Sequence, residues 1–191
     1  GLTPLNNLVA GALGNNCCIA IDATNAVHIA FIETFTNDLR YASNASGSWS
    51  LELVDQQSGT STNTIYHTSI AIDSVGFAHI AYAHDFAEND MEYATNASGT
   101  WTIEKVDDAG TVGYSSDIAI DSNDRIHILY EELADARPLH LATRDAGAWS
   151  SFVLSSSGFG QDLSISVDST DAMHIVFNDE QGELSYMTNR Q

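Results

Sequence analysis

Ile70-Ala-Ile-Asp73, followed by His79-Ile-Ala-Tyr82, decides the fold because it recurs. Ile19-Ala-Ile-Asp22 with His28-Ile-Ala-Phe31 precedes it. Ile118-Ala-Ile-Asp121 with His127-Ile-Leu-Tyr130 follows, then Ile165-Ser-Val-Asp168 with His174-Ile-Val-Phe177. In every copy the His stands six residues after the Asp and the aromatic three after the His. The His spacings are 51, 48 and 47 residues. A repeat of this kind has to be read before any single element, because it sets the architecture.

Each unit reads as four strands. The Ile-x-Ile-Asp run alternates large and small residues with the period of two expected of a strand. A turn rich in Asp, Ser, Asn and Gly then leads into the His strand. Leu39-Arg-Tyr41, Met91-Glu-Tyr93, Leu139-His-Leu141 and Leu184-Ser-Tyr186 mark the third strand. Trp49, Trp101 and Trp149 open the fourth, eight residues after the third-strand landmark. No segment sustains apolar residues at helical spacing. Four short strands per 40–50 residues predict an all-β protein, a β-propeller of four blades of four antiparallel strands.

The blades fall at about 14–57, 61–108, 111–155 and 159–191, within one domain of residues 1–191. The last unit ends at Gln191, before its Trp position, whereas Leu2 to Val9 precede the first unit. Leu2 lies 20 residues before Asp22, as Trp101 lies before Asp121. The N-terminal segment is therefore expected to complete the last blade and close the ring, leaving no bare edge. Two chains joined head to tail as an eight-bladed ring balance the strand count equally, with a monomer placed ahead of that dimer.

The chain carries 26 Asp and Glu against 6 Lys and Arg, a net charge of −20. Phosphate neutralisation needs clustered cations, so nucleic acid is excluded as a partner. Attraction to an anionic membrane surface is disfavoured for the same reason. No stretch is long and apolar enough to span a bilayer, which predicts no membrane insertion. The acidity suits an extracellular or periplasmic setting. Cys17 and Cys18 are neighbours, too close for an unstrained disulfide.

The recurring Asp and His invite a metal or catalytic reading, but a ring rarely needs one functional residue in every blade. They read as scaffold, the Asp accepting turn amides and the His satisfying buried groups. The Trp residues read as packing between outer strands. Function is sought where the repeats differ, on the face formed by the loops after the second and fourth strands. The second-strand ends there are Glu33, His84, Glu132 and Asp179. Three carboxylates and a His can bind a divalent cation such as calcium, or serve as acid and base. Tyr66 and Tyr114 break the repeat and are candidate stacking platforms. Asp117, at the channel mouth, and Asp162, in a variable loop, complete the candidate ligand-binding set.

The turn Thr143-Arg-Asp145-Ala-Gly147-Ala-Trp149 resembles the Asp-box of the sialidase-like (BNR) propellers. It is one residue shorter between Gly and Trp, and Ser46 and Ser98 replace Asp145 in the other copies. The resemblance implies the propeller and a link to glycans. It does not extend to the arginine triad of sialidases: of Arg40, Arg125, Arg137, Arg144 and Arg190, none recurs on an inner strand. No Gly-rich phosphate loop, nucleophile elbow or paired-Cys zinc motif appears. The expectation is a binding module for a glycan or protein ligand. A glycoside hydrolase or polysaccharide lyase using acidic residues of the same face stands second.

Overall fold

The computed structural model describes residues 14–56, 67–84, 90–157 and 162–190. Among these the regular structure is all strand. Sheet one contains β1 (Gly14–Ile21), β2 (Val27–Glu33), β3 (Leu39–Ser43) and β4 (Ser50–Asp55). Sheet two contains β5 (Thr68–Ile72), β6 (Ala78–His84), β7 (Asp90–Thr95) and β8 (Thr102–Asp107). Sheet three contains β9 (Val112–Ile120), β10 (Ile126–Glu132), β11 (Leu139–Asp145) and β12 (Ala148–Ser155). Sheet four has β13 (Leu163–Val167), β14 (Met173–Asn178) and β15 (Leu184–Thr188). Every pairing is antiparallel between sequence neighbours. The segment expected to complete sheet four, Leu2 to Val9, lies outside the described residues. Among the described residues no helix is long and apolar enough to cross a membrane.

The meander follows from the turns. In each first turn the Asp side chain accepts backbone amides: those of Thr24 and Ala26 for Asp22, and those of Val75, Gly76 and Phe77 for Asp73. Asp121 and Asp168 repeat the pattern. Three residues after each Asp the backbone enters the left-handed region, at Asn25, Gly76, Asp124 and Asp171. These are residue types that tolerate it. At the turn before the Trp, Gly47, Gly99 and Gly147 take φ of 86–87°. Asn44 and Asn96 brace that turn by accepting the amides of Val27 and Ala78.

The sheets stack face to face in chain order, β1 against β5, β5 against β9 and β9 against β13. No comparable packing joins β13 to β1. At the first seam Ala30, Ile32, Leu39 and Tyr41 pack against Ile70, Ile80, Tyr82 and Trp101. At the second, Ala81, Met91 and Tyr93 meet Ile118, Ile128, Tyr130 and Trp149. Small inner-strand residues allow close approach, and Ile on the other parity fills the space between blades. Trp101 and Trp149 meet the third-strand Tyr of the preceding sheet edge-on: Tyr41–Trp101 at 5.1 Å and Tyr93–Trp149 at 5.2 Å. The indole N–H groups donate to Glu52 at 2.8 Å and Glu104 at 3.0 Å. The Trp residues are thus packing elements between outer strands.

Gly113 separates packing from turn chemistry. Its φ is +88°, and an added Cβ would lie 3.1 Å from Ala83 Cβ and Met91 Sδ. Gly47 has a similar φ, but an added Cβ there meets nothing within 4 Å. Gly113→Ala is expected to cost about 2–3 kcal/mol and Gly47→Ala about 1 kcal/mol. Urea unfolding of the two variants measures the difference, and equal losses would contradict the close approach of sheets two and three.

Candidate functional site

The repeated His residues are structural. His28 lies 3.3 Å from Asp22 and 2.5 Å from the Tyr41 hydroxyl. His79 joins Asp73 to Tyr93, and His174 joins Asp168 to Tyr186. In sheet three Leu141 replaces the Tyr, and Thr143, two residues on and facing the same way, accepts the role at 3.0 Å from His127. Each chain of bonds ties a first turn to a third strand within one sheet. The expectation that these His satisfy buried backbone groups is replaced by a side-chain relay. Burial lowers the His79 pKa against the pull of Asp73, which keeps the ring neutral. The Thr24 hydroxyl, with nearby amides, holds Asp22 down to about 2.

A second set of bonds crosses the seams. The Tyr82 hydroxyl lies 3.0 Å from Asp55 of the preceding sheet and 2.8 Å from Glu92. Tyr130 donates to Asp107 at 2.7 Å. Burial, then the neighbouring carboxylates, push both phenols up. Tyr82 and Tyr130 are fully buried, so these pairs are struts rather than nucleophiles. Sequence reasoning missed them, although a signal existed. Asp55 and Asp107 end fourth strands and face Tyr, whereas Ser155 ends the third and the following sheet carries Phe177.

The candidate ligand residues separate into two groups. Glu33 is bound locally by Arg40 at 2.6 Å. Glu132 lies 3.2 Å from His140. Asp179 caps its own hairpin through the amides of Gln181 and Glu183. His84 ends β6, its side chain outside the described set, as is Tyr66. Glu33, Glu132 and Asp179 are each held within their own blade. Among the described residues no group of three or more His, Cys, Asp or Glu is arranged to hold a metal ion.

Tyr114, Asp117 and Asp162 instead converge on the seam between sheets three and four. Asp117 accepts the Ser164 hydroxyl at 2.8 Å and the Ile165 amide at 2.9 Å, stitching β9 to β13. Beside it, Glu131, Arg137, Leu139, Asp162, Leu163, Phe177 and Asn178 line a notch. Arg137 reaches Glu131 at 3.5 Å, and its guanidinium lies 5.9 Å from the Tyr114 ring centre. Glu131 is 2% exposed. Arg137 holds φ of +46°, a strained value for a side chain of its size. The notch holds about 10 Å³, room for roughly one water. A ligand therefore meets its rim rather than entering it. Glu131, Arg137 and Asn178 escaped the sequence reading because only the packing of sheet four on sheet three brings them together. Their place in the variable loops Glu131 to Pro138 and Asn178 to Gly182 was the available signal.

No family model matches the chain. No curated protein matches it. Solved structures do. A protein of unknown function from Dyadobacter fermentans is similar over 89% of this chain and 51% of its own, at 12% identity and a TM-score of 0.64. The fucose-specific lectin from Aleuria aurantia is similar over 90% of this chain and 56% of its own, at 13% identity and a TM-score of 0.61. Hadza microbial sialidase Hz136 is similar over 93% of this chain and 44% of its own, at 9% identity and a TM-score of 0.61. The fold is that of a β-propeller, and the chain spans about half the length of these proteins.

The relay makes a pH-dependent prediction. Burial raises the Asp73 pKa, but the Phe77 amide, His79 and other donors outweigh it, and the carboxyl lies below its usual range. A depressed carboxyl stabilises above its unfolded value, about 3.9, and loses that contribution as pH falls through the folded value. Asp73→Asn is expected to cost about 1 kcal/mol at pH 7, with the gap to wild type closing below about pH 4. Urea titrations at neutral and acid pH measure it, and a pH-independent gap would contradict the charge-assisted turn.

Proposed function

We propose that this chain is a binding module for a glycan, with its working surface on the variable-loop face. The observation that carries the reading is the seam cluster of Glu131, Arg137, Asp162 and Asn178 beside Tyr114. Carbohydrate recognition asks for a donor fork, carboxylate acceptors and an aromatic edge within one sugar's breadth. Arg137 supplies the fork, Asp162 the carboxylate acceptor and Tyr114 the apolar surface, with buried Glu131 behind Arg137. Asp117 positions the seam rather than the ligand. A shallow rim gives weak monovalent binding.

The fold likeness to a fucose-specific lectin supports a glycan over a protein ligand. The Asp-box-like turns, with their shared left-handed Gly, support kinship with the sialidase-like propellers. The acidic surface supports a secreted or periplasmic location. A role for calcium at the loop face is separable from this reading, because the rim offers its own charged and polar groups.

A glycan array with and without calcium tests the proposal. Binding to a defined set of glycans is expected, weakened at least tenfold by Arg137→Ala with the fold intact. Tenfold corresponds to about 1.4 kcal/mol, the scale of one charged hydrogen bond. No binding under either condition, or binding indifferent to Arg137, overturns it.

A further inference from the structure

The two ends of the sheet series expose the two halves of one contact. At the first seam the leading sheet offers Ala30, Leu39 and Tyr41, all buried by the sheet that follows. The same positions of sheet four are Val176, Leu184 and Tyr186, by the register of β14 with β15. They are 37%, 77% and 58% exposed. The following sheet at that seam offers Ile70, Ile72 and Trp101. The same positions of sheet one are Ile19, Ile21 and Trp49. Ile19 and Ile21 are each 64% exposed. Among the described residues Trp49 has no ring partner of the kind that Trp101 and Trp149 find.

A groove of about 470 Å³ continues the leading face at the edge of β15 that no described strand pairs with. Its walls include Leu141 and Phe152 of sheet three and Ile175 and Met187 of sheet four. Leu141 holds the third-strand place that Tyr41 and Tyr93 hold where they receive a Trp. In sheets one to three a fourth strand leads into the first strand of the next sheet. Whatever chain docks a β1-type strand on sheet four therefore brings the residues that precede that strand to this groove.

We propose that these end faces are docking surfaces for a second copy of this chain, sheet one of each copy seating on sheet four of the other. The surfaces are unlike each other and complementary, so the contact is heterologous and closes into a two-chain ring. Tyr186 of one copy then meets Trp49 of the other edge-on, repeating the internal seams. By the repeat offsets, Leu2 to Val9 of the incoming copy stand in the sequence place of a fourth strand. The occupant is fixed by continuity: the missing partner of each end face is the kind of surface that the other end carries.

Light scattering coupled to size exclusion tests this on the full chain. The wild type is expected at twice the chain mass of 20.6 kDa. Ile21→Asp and Tyr186→Asp are each expected as monomers, since each spoils both seams of the ring. Both sites are exposed, so circular dichroism should match wild type, and Ile19→Glu with Leu184→Asp gives a second pair. Mixing Ile21→Asp with Tyr186→Asp restores one undamaged seam, and a two-chain species should return. A monomeric wild type, as closure within one chain or a different covering protein would give, overturns the proposal. So does a dimer that survives both substitutions, or a mixture that stays monomeric. Glycan binding by a monomer would leave the functional reading standing while this one fails.

Discussion

A twisted four-stranded sheet with apolar side chains on both faces cannot remain alone in water. Burial of apolar surface gains about 25 cal/mol per Å², and one sheet offers its two faces nothing to bury against. Every other feature of this chain answers that constraint. Sheets one and two each hand a third-strand Tyr to the Trp of the next sheet. The inner strands carry small residues on one parity and Ile on the other, so consecutive sheets approach closely. Sheets two and three are covered on both faces, which is why Tyr82, Tyr93, Tyr130, Ile80 and Ile128 are fully buried. Among the described residues, sheets one and four each keep one apolar face exposed, with Ile19 and Ile21 on the first and Leu184 and Tyr186 on the last.

The polar groups divide the same way, into those that repeat and those that do not. Asp22, Asp73, Asp121 and Asp168 shape turns, and the His beside each carries the turn's hold to a third strand. Their recurrence marks them as scaffold, because a turn is needed in every blade. The loop face follows another logic. Among the described residues its second-strand carboxylates are spent on local partners, whereas Asp162 and Asn178 of the sheet-four side meet Glu131 and Arg137 of sheet three at one seam.

Much of the architecture was legible in the sequence because both of its signals are periodic. The Ile-x-Ile-Asp run fixed the first strand and its turn, and the constant Trp offset fixed the fourth. The ring's closure was not legible, since strand counting is blind to curvature and fits one closed chain or two joined chains. The candidate site was half legible. Tyr114 was chosen because it breaks the repeat, Asp117 for its channel-mouth position and Asp162 for its variable loop, and all three lie by the seam of sheets three and four. Glu131 and Arg137 were not chosen, because a lone Glu and a loop Arg acquire meaning only from the sheet packed opposite. Glu33 and Asp179, equivalent by spacing, lie in separate blades, each with its own neighbour to satisfy.

The account rests on sheets held together by successive ring-on-ring seams, so the most direct measurement is the coupling across one of them. A double-mutant cycle between Tyr93 and Trp149, each replaced by Leu, isolates that term from the burial both residues enjoy. The packing described predicts a favourable coupling of about 0.5–1.5 kcal/mol. Additivity of the two substitutions, to within about 0.3 kcal/mol, would contradict it.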